Sequence, residues 1–467
     1  MKSLPQPLGP RQTVELKGGR LRVLPHALLA AVSLEPPLTP DADLALRIDL
    51  LADAAAGPDA TGIGAVSPTH PLQLELAAAP AAGQGEELLA YTREQGILLP
   101  LGYGRFDPDS RWAHVDIPVL PESEALAREG SGSGRSLRIF LRELVYDRLR
   151  LEQEPARLAL PRFASPQALE VSEYEVDVAQ IREQVAAATQ ILLFIHGVIG
   201  NTRTMAGTVN RLVDGQALGA GFLVLTFDYE NLNTPIRDIA ATLRSKLTAV
   251  GLGRQHDKAL TLIAHSMGGL VARWLIEKEA AAPPVSRLIM LGVPNGGSPL
   301  QHIRQWTQGL LTLTLNGIAL VKLAGLGLPV LAGILARDYD TLDELAPDSA
   351  TLQALYTAPD PQVPYVMIAG DTRTLGIVLD DRDSPLNRLL SVLKQQGRQA
   401  VADLFTRNLF GDEPNDIAVA HSSMRHLAPG RQPAMTFYVT DCDHLSYFEH
   451  LPAIERLARL LREQGSP

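Results

Sequence analysis

Residues 260–273 read Leu-Thr-Leu-Ile-Ala-His-Ser-Met-Gly-Gly-Leu-Val-Ala-Arg, and they are the most informative part of the chain. An apolar run ends at Ala264, and an amphipathic helical pattern begins at Leu270. The segment between them predicts a sharp strand-to-helix turn with Ser266 at its apex. Ala264 and Gly268 are the small residues that such a turn requires two positions before and two after the serine. The turn exposes the hydroxyl of Ser266 at the start of a helix, where a nucleophile is well placed.

Buried strands alternate with helices on both sides of this turn, from about residue 191 onward. Continuous apolar runs at residues 191–195, 222–227 and 288–291 are typical of strands that are covered on both faces. Their alternation with helical patterns predicts a mostly parallel sheet with helices on both faces. Active sites in such sheets lie at the carboxyl ends of the strands.

The chain before this region has a different pattern. From residue 13 to about 163, short runs of alternating apolar and polar residues are separated by Pro, Gly and Asp, as in half-buried strands. Residues 137–145 fit the period of a strand or of a helix. We therefore expect an antiparallel β-rich accessory domain over residues 1–180 and an α/β domain over residues 181–467.

The turn at Ser266 resembles the nucleophile elbow of the α/β-hydrolase fold, with Ala264 in place of the usual first glycine. His265 and Gly268 complete an Ala-x-Ser-x-Gly elbow similar to that of a subset of bacterial lipases. Residues 291–298 and 345–352 resemble two further lipase segments. The resemblance runs from about residue 191 to the C-terminus and extends to glycosylphosphatidylinositol-inositol-deacylase-like serine hydrolases. It implies ester hydrolysis through an acyl-enzyme on Ser266, and it does not reach the accessory domain.

The first strand of the α/β domain ends in His196-Gly197-Val198, which resembles the oxyanion loop of lipases. Acyl transfer needs two backbone N–H groups aimed at the oxygen that becomes negatively charged. On this resemblance the two donors are the amides of Val198 and Met267. Gly197 allows the backbone to approach closely, and His196 is expected to hold the loop rather than to react.

A histidine after the last strand is the expected general base. His444 lies in Asp441-Cys442-Asp443-His444-Leu445, directly after an apolar strand at residues 436–439, and this ending resembles the histidine loop of lipases. It would take the proton of Ser266 and pass it to the leaving group. Three other histidines near this end of the chain are alternatives: His421, His426 and His450.

The acid of the triad is expected between the serine and the histidine in the chain. Residues 415–419, Asn-Asp-Ile-Ala-Val, resemble the Asn-Asp-Gly-Val-Val loop of the family, with Ile417 at the glycine position. This favours Asp416 as the acid, with Asp371 and Asp412 as alternatives. Isoleucine in place of glycine could change the conformation of this loop more than the identity of the acid. We expect no cofactor, and no ligand spacing demands the calcium site known in some lipases.

Composition limits the possible partners. The 467-residue chain has a net charge of −10 and no basic run, so nucleic acid is not an expected partner. A single cysteine, Cys442, excludes an intrachain disulfide. The first residues lack the apolar core of a signal peptide, which predicts a cytoplasmic protein.

Two insertions are expected in the α/β domain, at residues 299–357 and 384–410. Within the first, residues 309–336 are almost entirely apolar, with Lys322 as the single charge. We predict lid helices over the mouth of the site, with a buried helix pair and a membrane span as alternatives. The second insertion has an amphipathic helical pattern and is expected to flank the same mouth.

These observations predict a serine carboxylic-ester hydrolase of lipase type that acts on apolar acyl esters or lipids and touches membranes peripherally through its lid. A phospholipase, an acyltransferase or an amidase could use the same triad. A third interpretation is an interaction protein that is recruited to membranes and whose chemistry is vestigial.

Overall fold

The computed structural model describes two parts of the chain in different detail. The backbone of the N-terminal strands is described, with side chains at residues 71–75, 89–92, 98–104 and 114–117. The second part comprises residues 156–165, 168, 171–198, 202–203, 205–208, 222–230, 234–298, 311, 340–372 and 413–463.

The N-terminal strands form one antiparallel sheet. Ten strands are present in the described part of this region: β1 Gln6–Pro7, β2 Gln12–Leu16, β3 Gly19–Val23, β4 Leu29–Glu35, β5 Leu44–Ala52, β6 Leu72–Ala78, β7 Gly85–Glu94, β8 Ile97–Asp107, β9 Trp112–Ile117 and β10 Ser136–Tyr146. Their order in the sheet is β1-β4-β5-β10-β7-β8-β9-β6-β3-β2. Leu72 and Leu74 are buried on either side of the exposed Gln73, as the strand period requires. The β-rich prediction is confirmed, and residues 137–145, which fitted two periods, lie in a strand.

A second sheet carries the chemistry. Its strands among the described residues are β11 Arg157–Arg162, β12 Glu173–Glu175, β13 Gln190–Ile195, β14 Phe222–Asp228, β15 Ala259–His265, β16 Arg287–Leu291, β17 Tyr365–Gly370 and β18 Thr436–Thr440. Their order is β12-β11-β14-β13-β15-β16-β17-β18. The six strands from β14 to β18 in this order pair in parallel, and β11 and β12 pair antiparallel at one edge.

Helices cover both faces of this sheet. Their bounds are α1 Val178–Ala187, α2 Ile236–Ala249, α3 Met267–Lys278, α4 Asp340–Asp343, α5 Ala350–Tyr356, α6 His421–Arg425 and α7 Leu451–Arg462. Alternate residues of β13 belong to two different buried clusters. Leu193 packs in the cluster that includes Leu243 of α2 and Leu270 of α3, whereas Phe194 packs in the cluster that includes Leu457 of α7. This two-sided burial explains why the strands read as continuous apolar runs.

This arrangement is the α/β-hydrolase fold, as the sequence predicted. The strands β11 and β12 belong to the second sheet, so this sheet begins earlier in the chain than the predicted division at residues 180 and 181. The predicted lid at residues 309–336 and the insertion at 384–410 lie outside the described residues, except for Leu311, which is buried in the main core cluster. Within the described ranges, no helix is both long and apolar enough to cross a membrane.

Candidate active site

Ser266 stands at a strained turn between β15 and α3. Its backbone angles are φ 52° and ψ −132°, a conformation that non-glycine residues rarely adopt. Its N–H donates to the carbonyl of Leu291 at 3.0 Å, and its carbonyl accepts from the N–H of Gly269 at 2.9 Å. The turn therefore holds a partly exposed Ser266 side chain at the N-terminus of α3.

Glycines allow the loop after β13 to lie directly against this turn. A Cβ on Gly197 would be 2.5 Å from the Cβ of Ser266 and 3.1 Å from its Oγ. A Cβ on Gly268 would be 2.7 Å from the carbonyl oxygen of Ile195 and would also clash with that of His196. Gly197, which directly precedes Val198, therefore lies against Ser266, and Met267, which follows Ser266, is the first residue of α3. Ala264, the small residue two positions before the serine, is fully buried.

The side chain of His196 braces this loop. Its Nδ1 hydrogen-bonds the carbonyl of Gly197 at 2.8 Å, and its Nε2 accepts from the N–H of Tyr229 at 3.2 Å. The hydroxyl of Tyr229 donates to the carbonyl of His196 at 2.6 Å, and the two rings stack. Burial lowers the pKa of His196 despite the nearby carboxylate of Asp228. The neutral ring thus has both nitrogens engaged in supporting the loop, and sequence reasoning had not identified Tyr229 and Asp228 as its partners.

His444 connects the serine to a carboxylate. Its Nε2 lies 3.0 Å from the Oγ of Ser266, and its Nδ1 lies 2.7 Å from Oδ2 of Asp416. With the Nδ1–H donating to the carboxylate, Nε2 is available to accept the serine proton. The N–H of His444 also donates to the carbonyl of Asp416 at 2.8 Å, so the two loops are joined through their backbones as well.

The loop that carries Asp416 is built as a tight turn. Asp416 is completely buried, and its Oδ1 accepts the N–H groups of Ala418 at 3.2 Å and Val419 at 2.8 Å. Ile417 adopts a φ of 83°, in the left-handed region that favours glycine. This is the position at which the family loop carries glycine, and the isoleucine keeps the glycine conformation.

Tyr447 is a further residue of this site that the sequence analysis did not identify. Its hydroxyl donates to Oδ2 of Asp416 at 2.8 Å, and its ring is buried. Tyr447 lies three residues after His444 in the sequence. Nothing in the sequence around it distinguishes a tyrosine that hydrogen-bonds a carboxylate from one that only packs in the core.

Burial shapes the electrostatics around His444. Burial, followed by the proximity of His444, lowers the pKa of His265 well below its usual value. The Nε2 of His265 hydrogen-bonds the carbonyl of His444 at 2.8 Å, so the neutral ring supports the loop that carries His444. Burial raises the pKa of Asp443, whose Oδ1 accepts the N–H of Leu445 at 2.8 Å and closes the turn. Cys442 is fully buried, and burial also raises the pKa of its thiol.

The alternative residues have other partners. Nε2 of His421 hydrogen-bonds the carbonyl of Gly370 at 2.8 Å, the ring of His426 stacks on that of Tyr356, and His450 is the N-cap residue of α7. Asp371 is buried after β17, and Asp412 lies outside the described residues. The carboxylate that hydrogen-bonds Nδ1 of His444 is that of Asp416.

The assembled groups can perform acyl transfer. A hydroxyl, an imidazole and a buried carboxylate form one hydrogen-bonded chain at the carboxyl ends of β15, β17 and β18. The loop at Gly197 and the first turn of α3 both lie next to this hydroxyl. Among the residues that the structure describes, no group of three or more His, Cys, Asp or Glu side chains could hold a metal ion.

The mostly parallel sheet and the strand-to-helix turn at Ser266 identify the chain as a member of the α/β-hydrolase superfamily. The chain belongs to the family described as "Domain of unknown function (DUF7379)", whose profile matches residues 160–462. A search of curated proteins found no match.

Solved structures with a similar chain path include several hydrolases. A Bacillus licheniformis lipase in its mature form is 20% identical, with 59% of this chain and 92% of that chain covered and a TM-score of 0.35. A metagenomic carboxyl esterase is 15% identical, with 59% and 76% covered and a TM-score of 0.35. A Pyrococcus furiosus esterase is 13% identical, with 68% and 94% covered and a TM-score of 0.31.

Proposed function

We propose that this protein is a serine hydrolase that cleaves carboxylic esters of apolar acyl groups. The observation that carries the proposal is the unbroken chain from Ser266 Oγ to His444 Nε2 at 3.0 Å and from His444 Nδ1 to Asp416 Oδ2 at 2.7 Å. The three residues come from separate loops, and the strain at Ser266 is maintained by hydrogen bonds on both sides. Strained backbone of this kind is typical of functional sites.

The reaction follows from the roles of these groups. The Oγ of Ser266 attacks the ester carbonyl carbon while His444 takes its proton, and the carbonyl oxygen becomes an oxyanion. The N–H groups of Val198 and Met267 are its proposed donors, and each such donor lowers the barrier by roughly 3 kcal/mol. His444 then returns the proton to the departing alkoxide as the acyl C–O bond breaks. Water, deprotonated by the same imidazole, releases the acid from the acyl-enzyme.

The preference for apolar acyl groups rests on the sequence of residues 309–336, which we propose as a lid over the mouth. Contact of this lid with lipid aggregates would bring the site to its substrate. A cytoplasmic location and peripheral membrane contact remain predictions from the sequence.

Hydrolysis of p-nitrophenyl esters of increasing chain length tests the proposal. We expect wild-type protein to prefer octanoyl over acetyl esters and Ser266→Ala to lose activity by several orders of magnitude. Ser172→Ala, which removes an exposed serine hydroxyl from another part of the same unit, is the matched control and should keep full activity.

Covalent labelling identifies the nucleophile directly. A long-chain fluorophosphonate should add mass to the peptide containing Ser266 in wild-type protein and in Ser172→Ala, and not in Ser266→Ala. Equal ester turnover by wild type and Ser266→Ala would rule out the serine mechanism, and a preference for acetyl esters would contradict the proposed lid.

A further inference from the structure

The hydroxyl of Tyr447 lies between two groups of the site. It accepts the N–H of Gly370, at the end of β17, at 2.7 Å and donates to Oδ2 of Asp416 at 2.8 Å. The ring is buried in the cluster that also contains Ile368 and Phe448. Tyr447 therefore links the end of a sheet strand to the acid of the triad.

The direction of these two hydrogen bonds is fixed. The amide of Gly370 can only donate, so the tyrosine proton points to the carboxylate of Asp416. Burial, followed by the negative charge of Asp416, raises the pKa of Tyr447 well above its usual value. The hydroxyl therefore stays protonated and remains a donor to the carboxylate.

The same oxygen of Asp416 serves both His444 and Tyr447. Oδ2 accepts from His444 Nδ1 and from the tyrosine hydroxyl, while Oδ1 accepts two backbone N–H groups. The carboxylate is held at both oxygens and cannot rotate without breaking hydrogen bonds. Because Tyr447 also draws negative charge from Oδ2, it limits how strongly the carboxylate attracts a protonated His444.

Two glycines make room for this arrangement. A Cβ on Gly292, which has a φ of 58°, would be 2.5 Å from Oδ2 of Asp416 and 2.8 Å from Cε2 of Tyr447. A Cβ on Gly370 would be 2.9 Å from the Cβ of Asp416 and 3.0 Å from the tyrosine hydroxyl. The backbone thus approaches the tyrosine–aspartate pair as closely as glycine permits.

We propose that Tyr447 is a positioning residue that orients the Asp416 carboxylate and tunes its interaction with the His444 imidazole. The inference rests on the proposed function, because it assigns to Tyr447 a part in the proton transfer from Ser266. It does not place Tyr447 against the substrate.

Tyr447→Phe keeps the ring and removes only the hydroxyl. Hydrogen bonds to charged groups are strong enough that we expect kcat to fall about tenfold, with KM unchanged. The carboxylate, relieved of one donor, should attract the protonated imidazole more strongly. The acid limb of the kcat/KM profile should therefore move to higher pH by several tenths of a unit.

Tyr365→Phe is the matched control. The hydroxyl of Tyr365 also donates to a buried carboxylate, that of Glu277, at 2.7 Å, but it lies at the start of β17 rather than at its end. Its removal should lower stability without moving the pH profile. If Tyr447→Phe lowers only the melting temperature, as Tyr365→Phe does, the hydroxyl is merely structural and the proposal is wrong.

An NMR titration separates this proposal from the proposed function. The midpoint of the His444 ring titration, followed by ¹⁵N chemical shifts, should be higher in Tyr447→Phe than in wild type and unchanged in Tyr365→Phe. This readout needs no substrate, so it decides the role of Tyr447 even if no ester is cleaved and no label reaches Ser266. An unchanged midpoint in Tyr447→Phe overturns the proposal.

A second variant serves if Tyr447→Phe does not fold. Incorporation of 3-fluorotyrosine at position 447 preserves the packing and makes the hydroxyl a stronger donor. The midpoint of the His444 titration should then shift to lower pH, opposite to the effect of phenylalanine. An upward shift or no shift would contradict the proposed charge sharing at Asp416.

Discussion

Ile417 has a strained backbone conformation in the loop that holds Asp416. Its N–H donates to Oδ1 of Asn415 at 2.9 Å, and its φ of 83° turns the chain so that the next two amides reach Asp416. A β-branched residue in this region costs about 1–2 kcal/mol relative to glycine. Its side chain packs partly against the main core cluster, which offsets some of that cost.

Comparing Ile417→Gly with Ile417→Ala isolates the backbone contribution. Both variants remove the side chain, but only glycine relieves the left-handed conformation. We expect the glycine variant to be more stable by about 1 kcal/mol, the reverse of the usual order of these two residues. Urea unfolding of both variants checks this, and an alanine variant of equal or greater stability would mean that the loop is unstrained.

At the scale of elements, the joint between β15 and α3 depends on its contact with the loop after β13. Gly268 lies in the first turn of α3, and the carbonyl oxygens of Ile195 and His196 occupy the space that a side chain would need. The helix and the proposed oxyanion loop therefore share one narrow contact. The first turn of α3 can lie this close to the backbone of residues 195 and 196 because position 268 has no side chain.

Gly268→Ala should force these two elements apart. We expect a loss of roughly 1–3 kcal/mol in stability, because the obstructing atoms are backbone, together with slower fluorophosphonate labelling of Ser266. Gly253→Ala is the control, because its Cβ would meet only Cγ2 of Thr248 at an ordinary 3.6 Å. Labelling of Gly268→Ala at the wild-type rate would show that this contact does not position the nucleophile.

Most strands of the second sheet and the joint at Ser266 could be predicted from the sequence. The continuous apolar runs identified β13 to β16, and the small residues around Ser266 identified the joint, because burial on both faces and a sharp turn constrain composition directly. The short edge strands β11 and β12 were assigned to the accessory domain, because three to six residues of alternating pattern do not reveal their partner strand. Tyr447 was missed because its hydrogen bonds join segments that only tertiary structure brings together.

Across the whole molecule, a buried network of ionic and polar side chains links segments that are distant in the sequence. The guanidinium of Arg273 in α3 pairs with both oxygens of Glu277 and also donates to Oδ1 of Asn295 and to the carbonyl of Leu355. Asn295 in turn donates to the carbonyl of Met424 at 2.7 Å. These bonds connect α3, the helix that begins directly after Ser266, with the loop after β16, α5 and α6.

The buried histidines predict acid sensitivity of the entire fold. Burial lowers the pKa of both His196 and His265, so the folded state keeps them neutral while the unfolded chain takes up protons near pH 6.5. Stability is therefore complete above about pH 6.5 and declines as the pH falls below it, toward the pKa of the folded state. Each histidine contributes at most about 1.4 kcal/mol per pH unit to this decline.

Urea midpoints measured between about pH 7.5 and pH 5.5 test this expectation. The decline should be shallower in His265→Gln than in wild type, even though the variant is less stable at neutral pH, because one buried titrating group has been removed. Parallel curves for the two proteins would show that His265 does not contribute to the acid sensitivity.

Cys442 gives this chain a built-in reporter. Its sulfur is the only thiol in the sequence, and it is shielded from solvent two residues before His444. A maleimide or disulfide reagent can reach it only when the segment bearing the base detaches from the sheet. The rate of thiol modification in the natural sequence would thus measure how often the segment with Cys442 and His444 opens locally. A bound acyl group should lower this rate.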